Sequence, residues 1–218
     1  MSFFDYVAAH PEAGELFNAF MRSGANAGVE DDRHAKVAEQ YDFGRFHTLV
    51  DVGGGSGGLL RAVLARHPAI RGVLFDQLSG LGGAAEALAA DGLSARCRIE
   101  SGDFFAAAPA GGDVYALSFI LHDWADEPCL KILGHVRDAI APGGRLLVIE
   151  RLVPPCAKDR RLLRHQLYQD VNMMVNFGGR ERSEEEFRRL LSAAGFELTR
   201  VLPTGSAISI VEAAPRAQ

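Results

Sequence analysis

The sequence predicts an α/β protein with an open, doubly wound sheet of seven strands, mostly parallel, that ends in an antiparallel hairpin and carries helices on both faces. Three observations predict it. Apolar strand-like runs alternate with helical runs from residue 47 to residue 151, a glycine-rich turn joins the first strand to the helix after it, and two neighbouring strand-like runs close the chain. Strands that alternate with helices pair in parallel through right-handed crossovers, which builds such a sheet.

A helical N-terminal segment over residues 1–42 comes first along the chain. Pro11 opens an amphipathic helix in it, and Gly24 and Gly28 mark a break before a second helix. Pro142-Gly143-Gly144 ends the helix that precedes the fifth strand. The first five strands are expected at 47–52, 72–76, 96–100, 113–119 and 144–151. The helices between them are expected at 58–66, 82–91 and 127–141.

The rhythm changes after the fifth strand. Two consecutive helical segments are expected at 159–176 and 183–194, and Ser183 is a suitable N-cap for the second because three glutamates follow it. The strand-like runs at 196–203 and 207–213 are too close together for a helical crossover. They are therefore expected to pair as the antiparallel hairpin.

Charge and composition argue against several kinds of partner. The chain of 218 residues can bury a substantial core, and its net charge of −5 argues against nucleic acid and anionic membranes. The arginine-rich stretch from Arg180 to Arg189 is interpreted as a solvated helix face, because acids and apolar residues interrupt it. Three cysteines without short spacing, no apolar run of about 18 residues and no signal peptide predict a cytoplasmic protein without a membrane partner, disulfide framework or metal site.

The glycine-rich turn at 53–58 indicates a ligand that approaches bare backbone. Five of its six residues are glycine, which allows unusual dihedral angles and leaves no Cβ in the way. Gly53, Gly55 and Gly58 have the G-x-G-x-x-G spacing of dinucleotide enzymes, which is a weak signal alone. Asp76, 18 residues after Gly58, fits the ribose of either a dinucleotide or another adenosine cofactor.

Polar side chains follow all five strands at their carboxyl ends, the edge where open α/β sheets bind ligands. An aspartate followed by an aromatic ring, as at Asp103-Phe104, suits an adenine. His122 suits the removal of a proton near neutral pH. The residues at this edge are Asp51, Asp76, Asp103, His122, Asp123 and Glu150.

Taken in order, these segments resemble one family, the S-adenosylmethionine-dependent O-methyltransferases of the plant caffeate and bacterial polyketide-tailoring type. The resemblance runs over about residues 10–213 and implies a Rossmann-like class I methyltransferase fold. It is carried by 49–58, Asp76, Gly102-Asp103-Phe104-Phe105, Leu121-His122-Asp123-Trp124, Pro142 through Glu150, and Gly178 through Phe187.

The resemblance implies S-adenosyl-L-methionine as the cofactor and a role for each site residue. Gly53 and its neighbours would hold the methionine part, Asp76 the ribose, and Asp103 with Phe104 the adenine. His122 would be the general base, with Glu150 and Glu181 orienting its ring. The implied cofactor set is Asp51, Gly53, Gly55, Asp76, Gln77, Gly102, Asp103, Phe104 and Ser118. The implied acceptor pocket is Met21, Asp123, Met173, Met174 and Asn176, with no metal.

Family members normally begin with a dimerisation domain, and this chain starts roughly where that domain ends. Residues 1–42 are therefore expected to be the remnant of a linker, and 43–218 the cofactor-binding catalytic domain. A homodimer is possible, but the usual means of forming it lies outside this sequence.

Three functions are compatible with these observations. The first is methyl transfer to a hydroxyl group, phenolic by preference, of a small aromatic secondary metabolite. The second is a protein or fragment that binds S-adenosylmethionine without transferring methyl groups by itself. The third is a nicotinamide oxidoreductase, for which the chain shows no Tyr-x-x-x-Lys pair.

Overall fold

A computed structural model describes residues 3–22, 32–154 and 160–216. The strands are β1 (Thr48–Val52), β2 (Arg71–Asp76), β3 (Cys97–Ser101), β4 (Val114–Ser118), β5 (Arg145–Arg151), β6 (Phe196–Pro203) and β7 (Ile208–Pro215). The helices are α1 (Phe3–Ala9), α2 (Pro11–Arg22), α3 (Arg33–Gln40), α4 (Gly58–Arg66), α5 (Ala84–Ala90), α6 (Asp126–Ala139), α7 (Arg160–Asn176) and α8 (Glu184–Ala193). The predicted α/β alternation is confirmed. The expected break at Gly24 and Gly28 lies outside the described residues.

The seven strands form one sheet in the order β3-β2-β1-β4-β5-β7-β6. The first five strands pair in parallel, as the alternation with helices requires. The predicted C-terminal hairpin is confirmed, because β6 and β7 pair antiparallel. Its second strand, β7, lies between β6 and β5 and pairs antiparallel with β5. The carboxyl ends of β1 to β5 therefore meet along one edge.

Two apolar cores lie on the two faces of the sheet, so the helices cover both sides. Consecutive strand residues alternate between the cores: Val148 belongs to the core under α6 and α8, and Ile149 to the core under α3, α4 and α5. Strands buried on both faces read as continuous apolar runs, which explains their clear signal in the sequence. Within the described ranges, no helix combines the length and apolar character that crossing a membrane requires.

Glu212 on β7 ties the segment after α3 to the C-terminal hairpin. Its carboxylate accepts hydrogen bonds from Tyr41 (2.6 Å), Arg45 (2.9 Å) and Arg200 (2.9 Å). Burial alone raises the pKa of Glu212, but the hydrogen bonds from Arg200, Tyr41 and Thr199 outweigh it and lower the pKa to about 2. The N-terminal segment is thus fastened to the sheet by a charged, hydrogen-bonded group.

Candidate active site

The glycine turn between β1 and α4 adopts backbone conformations that other residues avoid. Gly53 and Gly55 have φ angles of +73° and +55°. A Cβ on Gly53 would collide with the side chain of Ile120, whereas a Cβ on Gly55 would meet nothing within 4 Å. The turn therefore brings backbone to the edge of the sheet and leaves open space in front of Gly55.

Asp76, at the end of β2, holds the open side of this turn. Its carboxylate accepts hydrogen bonds from the backbone N–H groups of Gly55 (2.8 Å) and Gln77 (2.6 Å). Burial raises the pKa of Asp76, and the two hydrogen bonds oppose that rise. Of the implied cofactor residues, Gly55, Asp76 and Gln77 are thus brought into direct contact.

Asp51 lies beneath the turn, 1% exposed, and neither of its oxygens has a hydrogen bond of good geometry among the described residues. Burial and the negative charge of Asp76 raise its pKa to about 7. The hydroxyl of Ser118, at the end of β4, is likewise buried without a partner among the described residues. Buried polar atoms in native proteins are normally satisfied, so both groups point to a polar ligand or water at this edge.

The loop after β3 brings an aromatic ring to the same place. The backbone N–H of Gly102 donates to the carbonyl of Asp76 (2.9 Å), and Asp103 accepts from the backbone N–H of Phe105 (2.8 Å). The ring of Phe104 then lies 3.6 Å from the position that a Cβ on Gly53 would occupy. The structure therefore gathers the implied cofactor residues from four strands around one turn.

His122 lies in a short 3-10 turn (Leu121–Asp123) after β4, and three carboxylates surround it. Its Nδ1 lies 3.3 Å from Oε1 of Glu181, and its Nε2 lies 3.4 Å from Oδ1 of Asp123. Glu150 accepts a hydrogen bond from the backbone N–H of His122 (3.1 Å) rather than from the ring. The imidazole is 8% exposed, so these charges act on it with little screening by water.

The protonation of this cluster follows from burial and charge. Burial alone lowers the pKa of His122, but the hydrogen bond to Glu181 and the charges of Asp123 and Glu150 outweigh it and raise the pKa to about 9. Burial raises the pKa of Glu150 to about 7 and that of Asp123 to about 6. Near neutral pH the imidazole is therefore a cation among acids of weakened strength.

Three of these side chains, those of His122, Glu150 and Glu181, have the composition of a cation site. One donor atom each from His122, Glu150 and Glu181 lies within 4.8 Å of the others. A metal ion at Nδ1 would have to replace the proton that the hydrogen bond to Glu181 stabilises. An imidazolium between carboxylates explains why these three side chains lie together, without a metal ion.

Arg182 is the residue at this site that the sequence analysis missed. It was interpreted as part of a solvated face, which is wrong: it is 0% exposed, whereas Arg188 and Arg189 are indeed exposed. Its guanidinium donates to the carbonyl oxygens of Leu121 (2.7 Å) and Trp124 (2.8 Å), one on each side of His122. Arginine is rarely buried completely, and the sequence contains no signal that separates this one from its neighbours.

The segment from Gly179 to Arg182 both carries Glu181 and holds the turn that carries His122. The backbone N–H of Arg180 donates to the carbonyl of His122 (2.9 Å), and that of Glu181 donates to Asp170 on α7 (2.9 Å). Gly179 packs so closely on residues 122–124 that a Cβ would collide with the His122 carbonyl. The imidazole and its carboxylate partner are thus positioned by one set of contacts.

The implied acceptor residues are not all gathered. Met173 is buried on α7, whereas Met174 and Asn176 are exposed. The amide of Asn176 donates to Asn172 one turn earlier (2.7 Å). Met21 falls in α2, and its side chain lies outside the described residues. The roles of these residues in acceptor binding stay predictions.

Phe119 is a further residue that the sequence analysis did not single out. It has a φ angle of +56°, which for a residue other than glycine indicates backbone strain. Its ring centroid lies 5.5 Å from that of His122. Strained residues cluster at functional sites, and this one separates Ser118 from the turn that carries the imidazole.

Comparison with known proteins identifies the class. The family model described as the O-methyltransferase domain matches residues 1–197, and the chain belongs to this family. It is 42% identical over 214 residues to phenazine O-methyltransferase PhzM of Lysobacter antibioticus, a match that covers 98% of this chain and 60% of that protein. It is 45% identical over 217 residues to O-demethylpuromycin-O-methyltransferase of Streptomyces alboniger, covering 98% and 56%.

A solved structure gives the same result for the fold. The O-methyltransferase NcsB1 of neocarzinostatin biosynthesis, in complex with S-adenosylmethionine and 2-hydroxy-5-methyl naphthoic acid, has a TM-score of 0.85 at 32% identity, covering 99% of this chain and 61% of that one. The fold is therefore that of the class I methyltransferases. The chain spans about 60% of the length of the curated relatives it matches.

Proposed function

We propose that the protein transfers a methyl group from S-adenosylmethionine to a hydroxyl group of a small aromatic molecule, with His122 as the general base. The observation that carries the proposal is the buried imidazole, flanked by carboxylates, at the sheet edge that also holds the glycine turn. The family and the relatives' names support the reaction class.

The residues around the turn fit the proposed cofactor. The open space before Gly55 accommodates a ligand against bare backbone, and the unsatisfied oxygens of Asp51 and hydroxyl of Ser118 offer polar partners. In this proposal Asp76 binds the ribose, and Phe104 packs on the adenine beside Asp103. When bound, S-adenosylmethionine supplies a methyl group made electrophilic by its sulfonium.

In its neutral form, His122 then accepts the proton of the acceptor hydroxyl. A phenol has a pKa of about 10 and is a weak nucleophile while protonated, so a base beside it raises the rate by about 10²–10⁴-fold. The carboxylate of Glu181 at Nδ1 stabilises the imidazolium that forms. Asp123 now lies at Nε2, and it must leave that nitrogen to the acceptor hydroxyl.

The test is a methyl-transfer assay with radiolabelled S-adenosylmethionine and a panel of hydroxyarenes. His122→Ala is expected to reduce turnover by about 10²-fold or more, with cofactor affinity measured by calorimetry changed by only a few-fold. His47→Ala is the matched control, because His47 immediately precedes β1 at the opposite edge and its side chain is 94% exposed. Full turnover in His122→Ala would remove the base from the proposal.

A second candidate is a protein that binds the cofactor without transferring methyl groups on its own. The intact cluster of His122, Glu150 and Glu181 favours transfer. Cofactor binding without transfer to any acceptor of a broad panel would favour the second candidate.

Two further properties belong to the proposal. We propose a cytoplasmic location, because Cys97 and Cys129 are buried free thiols, as in reducing compartments. We also propose that residues 1–42 link to a dimerisation region and that the active protein is a homodimer. Sedimentation of this chain, compared with one extended at its N-terminus, measures that contribution.

A further inference from the structure

Two arginines approach the aromatic ring that lies beside the imidazole. The guanidinium carbons of Arg33 and Arg151 lie 5.2 Å and 5.1 Å from the ring centroid of Phe119. The same ring lies 5.5 Å from His122. Two positive charges and the proposed base therefore contact the same ring, which belongs to a residue with a strained backbone.

Arg151 is placed there by the alternation of β5. Glu150 and Arg151 are its last two residues, so their side chains leave opposite faces of the sheet. Glu150 points to the main chain of His122, and Arg151 points to Phe119. The two residues that end this strand thus serve the same site from its two sides.

The guanidinium of Arg151 has no anionic partner among the residues that the structure describes. Its Nε is buried without a hydrogen-bond acceptor among residues 3–22, 32–154 and 160–216, and no carboxylate in those ranges lies within 4.0 Å of it. Arg151 borders a narrow cleft together with Gln169 and Glu181, and Glu181 is hydrogen-bonded to the imidazole. A half-buried guanidinium with an unsatisfied donor is suited to a carboxylate, which accepts from it in a planar, bidentate fashion.

We propose that Arg151, which shares the Phe119 ring with Arg33, is a subsite for a carboxylate on the methyl acceptor, so that the acceptor is a hydroxyaryl carboxylic acid. This inference rests on the proposed function and names its substrate class. The dimensions allow it. The guanidinium of Arg151 lies 5.1 Å and the imidazole of His122 lies 5.5 Å from the Phe119 centroid, so their separation cannot exceed the sum of these two distances. An acceptor of one or two fused rings spans that separation, with its hydroxyl at His122 and its aromatic face near Phe119.

The alternative is that Arg151 only packs on Phe119 through a cation–π contact. In that role Arg151 would not distinguish a charged acceptor from a neutral one, so the two possibilities differ in a measurable way. The experiment compares isomeric hydroxynaphthoic acids with the corresponding hydroxynaphthamides, which have the same ring and hydroxyl without the anion. The proteins are the wild type, Arg151→Met, Arg151→Lys and Arg71→Met. Arg71 is a matched control because it is exposed at the start of β2, at the opposite edge.

The wild type is expected to prefer at least one acid over its amide by roughly tenfold or more in kcat/KM. Arg151→Met should lose that preference through a higher KM for the acid, with less than about twofold change for the amide. Arg151→Lys should keep part of the preference, because an ammonium is a point charge without the planar fork. Arg71→Met should behave as the wild type.

Equal loss for acid and amide in Arg151→Met, or no acid preference in the wild type, overturns the inference while methyl transfer itself stands. If no acceptor is methylated, the proposed function fails, and the subsite is judged by binding alone. The fluorescence of a hydroxynaphthoate then reports its affinity: weaker binding to Arg151→Met than to Arg71→Met supports the subsite, and equal binding overturns it.

Discussion

Oε1 of Glu181 lies 3.3 Å from Nδ1 of His122, a contact between residues that are 59 positions apart in the sequence. The carboxylate holds a proton on Nδ1 of the neutral imidazole. Nε2 is then the nitrogen that can accept a proton from the hydroxyl of the methyl acceptor. The carboxylate also places a negative charge where an imidazolium forms during proton transfer.

The contact predicts the behaviour of Glu181→Gln. The amide can still accept a hydrogen bond at Nδ1 but has no charge, so the pKa of His122 should fall. We expect turnover to decrease by about tenfold or more and the rise of activity with pH to begin at a lower pH. The pH profile of kcat measures both. A slower enzyme with an unmoved profile would mean that Glu181 acts only by packing.

Wild-type activity should increase with pH from neutrality to about pH 9. The pKa of His122 is raised from 6.5 to about 9, so its cationic form prevails below that value, and only the neutral form accepts a proton. The pH profile of kcat/KM tests this, measured with an acceptor whose hydroxyl has a pKa above that of His122. A rise already complete at pH 7 would contradict a pKa of about 9 for His122 in the reacting protein.

Arg182→Met should loosen the turn that carries the base. The change removes the donors to the carbonyls of Leu121 and Trp124, both inside the protein, and costs about 2–4 kcal/mol of stability. Displacement of the imidazole should lower kcat by up to about 100-fold while KM for the cofactor changes little. Arg182→Lys, which can reach one carbonyl at a time, should recover part of the activity.

The control for this change is Arg188→Met on α8. Arg188 is exposed and pairs with Glu184 one turn earlier, so its loss should alter stability by less than about 0.5 kcal/mol. Thermal unfolding and steady-state kinetics of the three variants separate a positioning role from a general loss of stability. An Arg182→Met protein of lower stability but full kcat would limit this residue to a structural role.

Gly55→Ala should weaken cofactor binding more than it weakens the fold. The φ angle of +55° costs an alanine about 1 kcal/mol, and its methyl group would enter the open space where the cofactor is proposed to lie. Gly143→Ala has the same left-handed backbone and open surroundings, at the other end of β5. Calorimetry with S-adenosylmethionine should find reduced affinity only in Gly55→Ala; equal affinity in both would place the cofactor elsewhere.

Glu212→Gln should destabilise the protein at neutral pH but not in acid. The pKa of Glu212 is lowered from 4.5 to about 2, so its contribution to stability is complete above pH 4.5 and is lost as the pH falls toward 2. Thermal midpoints of the variant and the wild type should therefore differ at pH 7 and converge near pH 2.5. A difference that persists in acid would assign the effect to packing.

Local pattern was sufficient for the order and kind of the elements. Strands such as Val114–Ser118 are buried on both faces, and the glycines and Pro142 mark the turns, so the period of apolar residues identified them. The position of β7 between β5 and β6 was not predictable in the same way. Any two antiparallel strands of that length satisfy the hairpin rule in either order beside β5.

The candidate site divides along the same line. His122 follows β4 and Glu150 lies at the end of β5, and the rule that ligands bind at carboxyl ends pointed to both. Glu181, by contrast, entered through family resemblance. Arg182 and Phe119 were missed because burial of a guanidinium and a left-handed backbone at an aromatic residue are consequences of tertiary contacts. Neither the burial of Arg182 nor the left-handed backbone of Phe119 can be predicted from the local propensity of its residue type.

The absence of a side chain at Gly179 limits which substitutions this protein can accept around His122. Residues 122–124 rest directly on its α-carbon, so even a methyl group there would push the imidazole and Glu181 apart. Acceptor preference can be altered at Phe119 and Arg151 without disturbing this contact. Substitutions that change the acceptor are therefore expected near Phe119 and Arg151, whereas Gly179 cannot be replaced without displacing the proposed base.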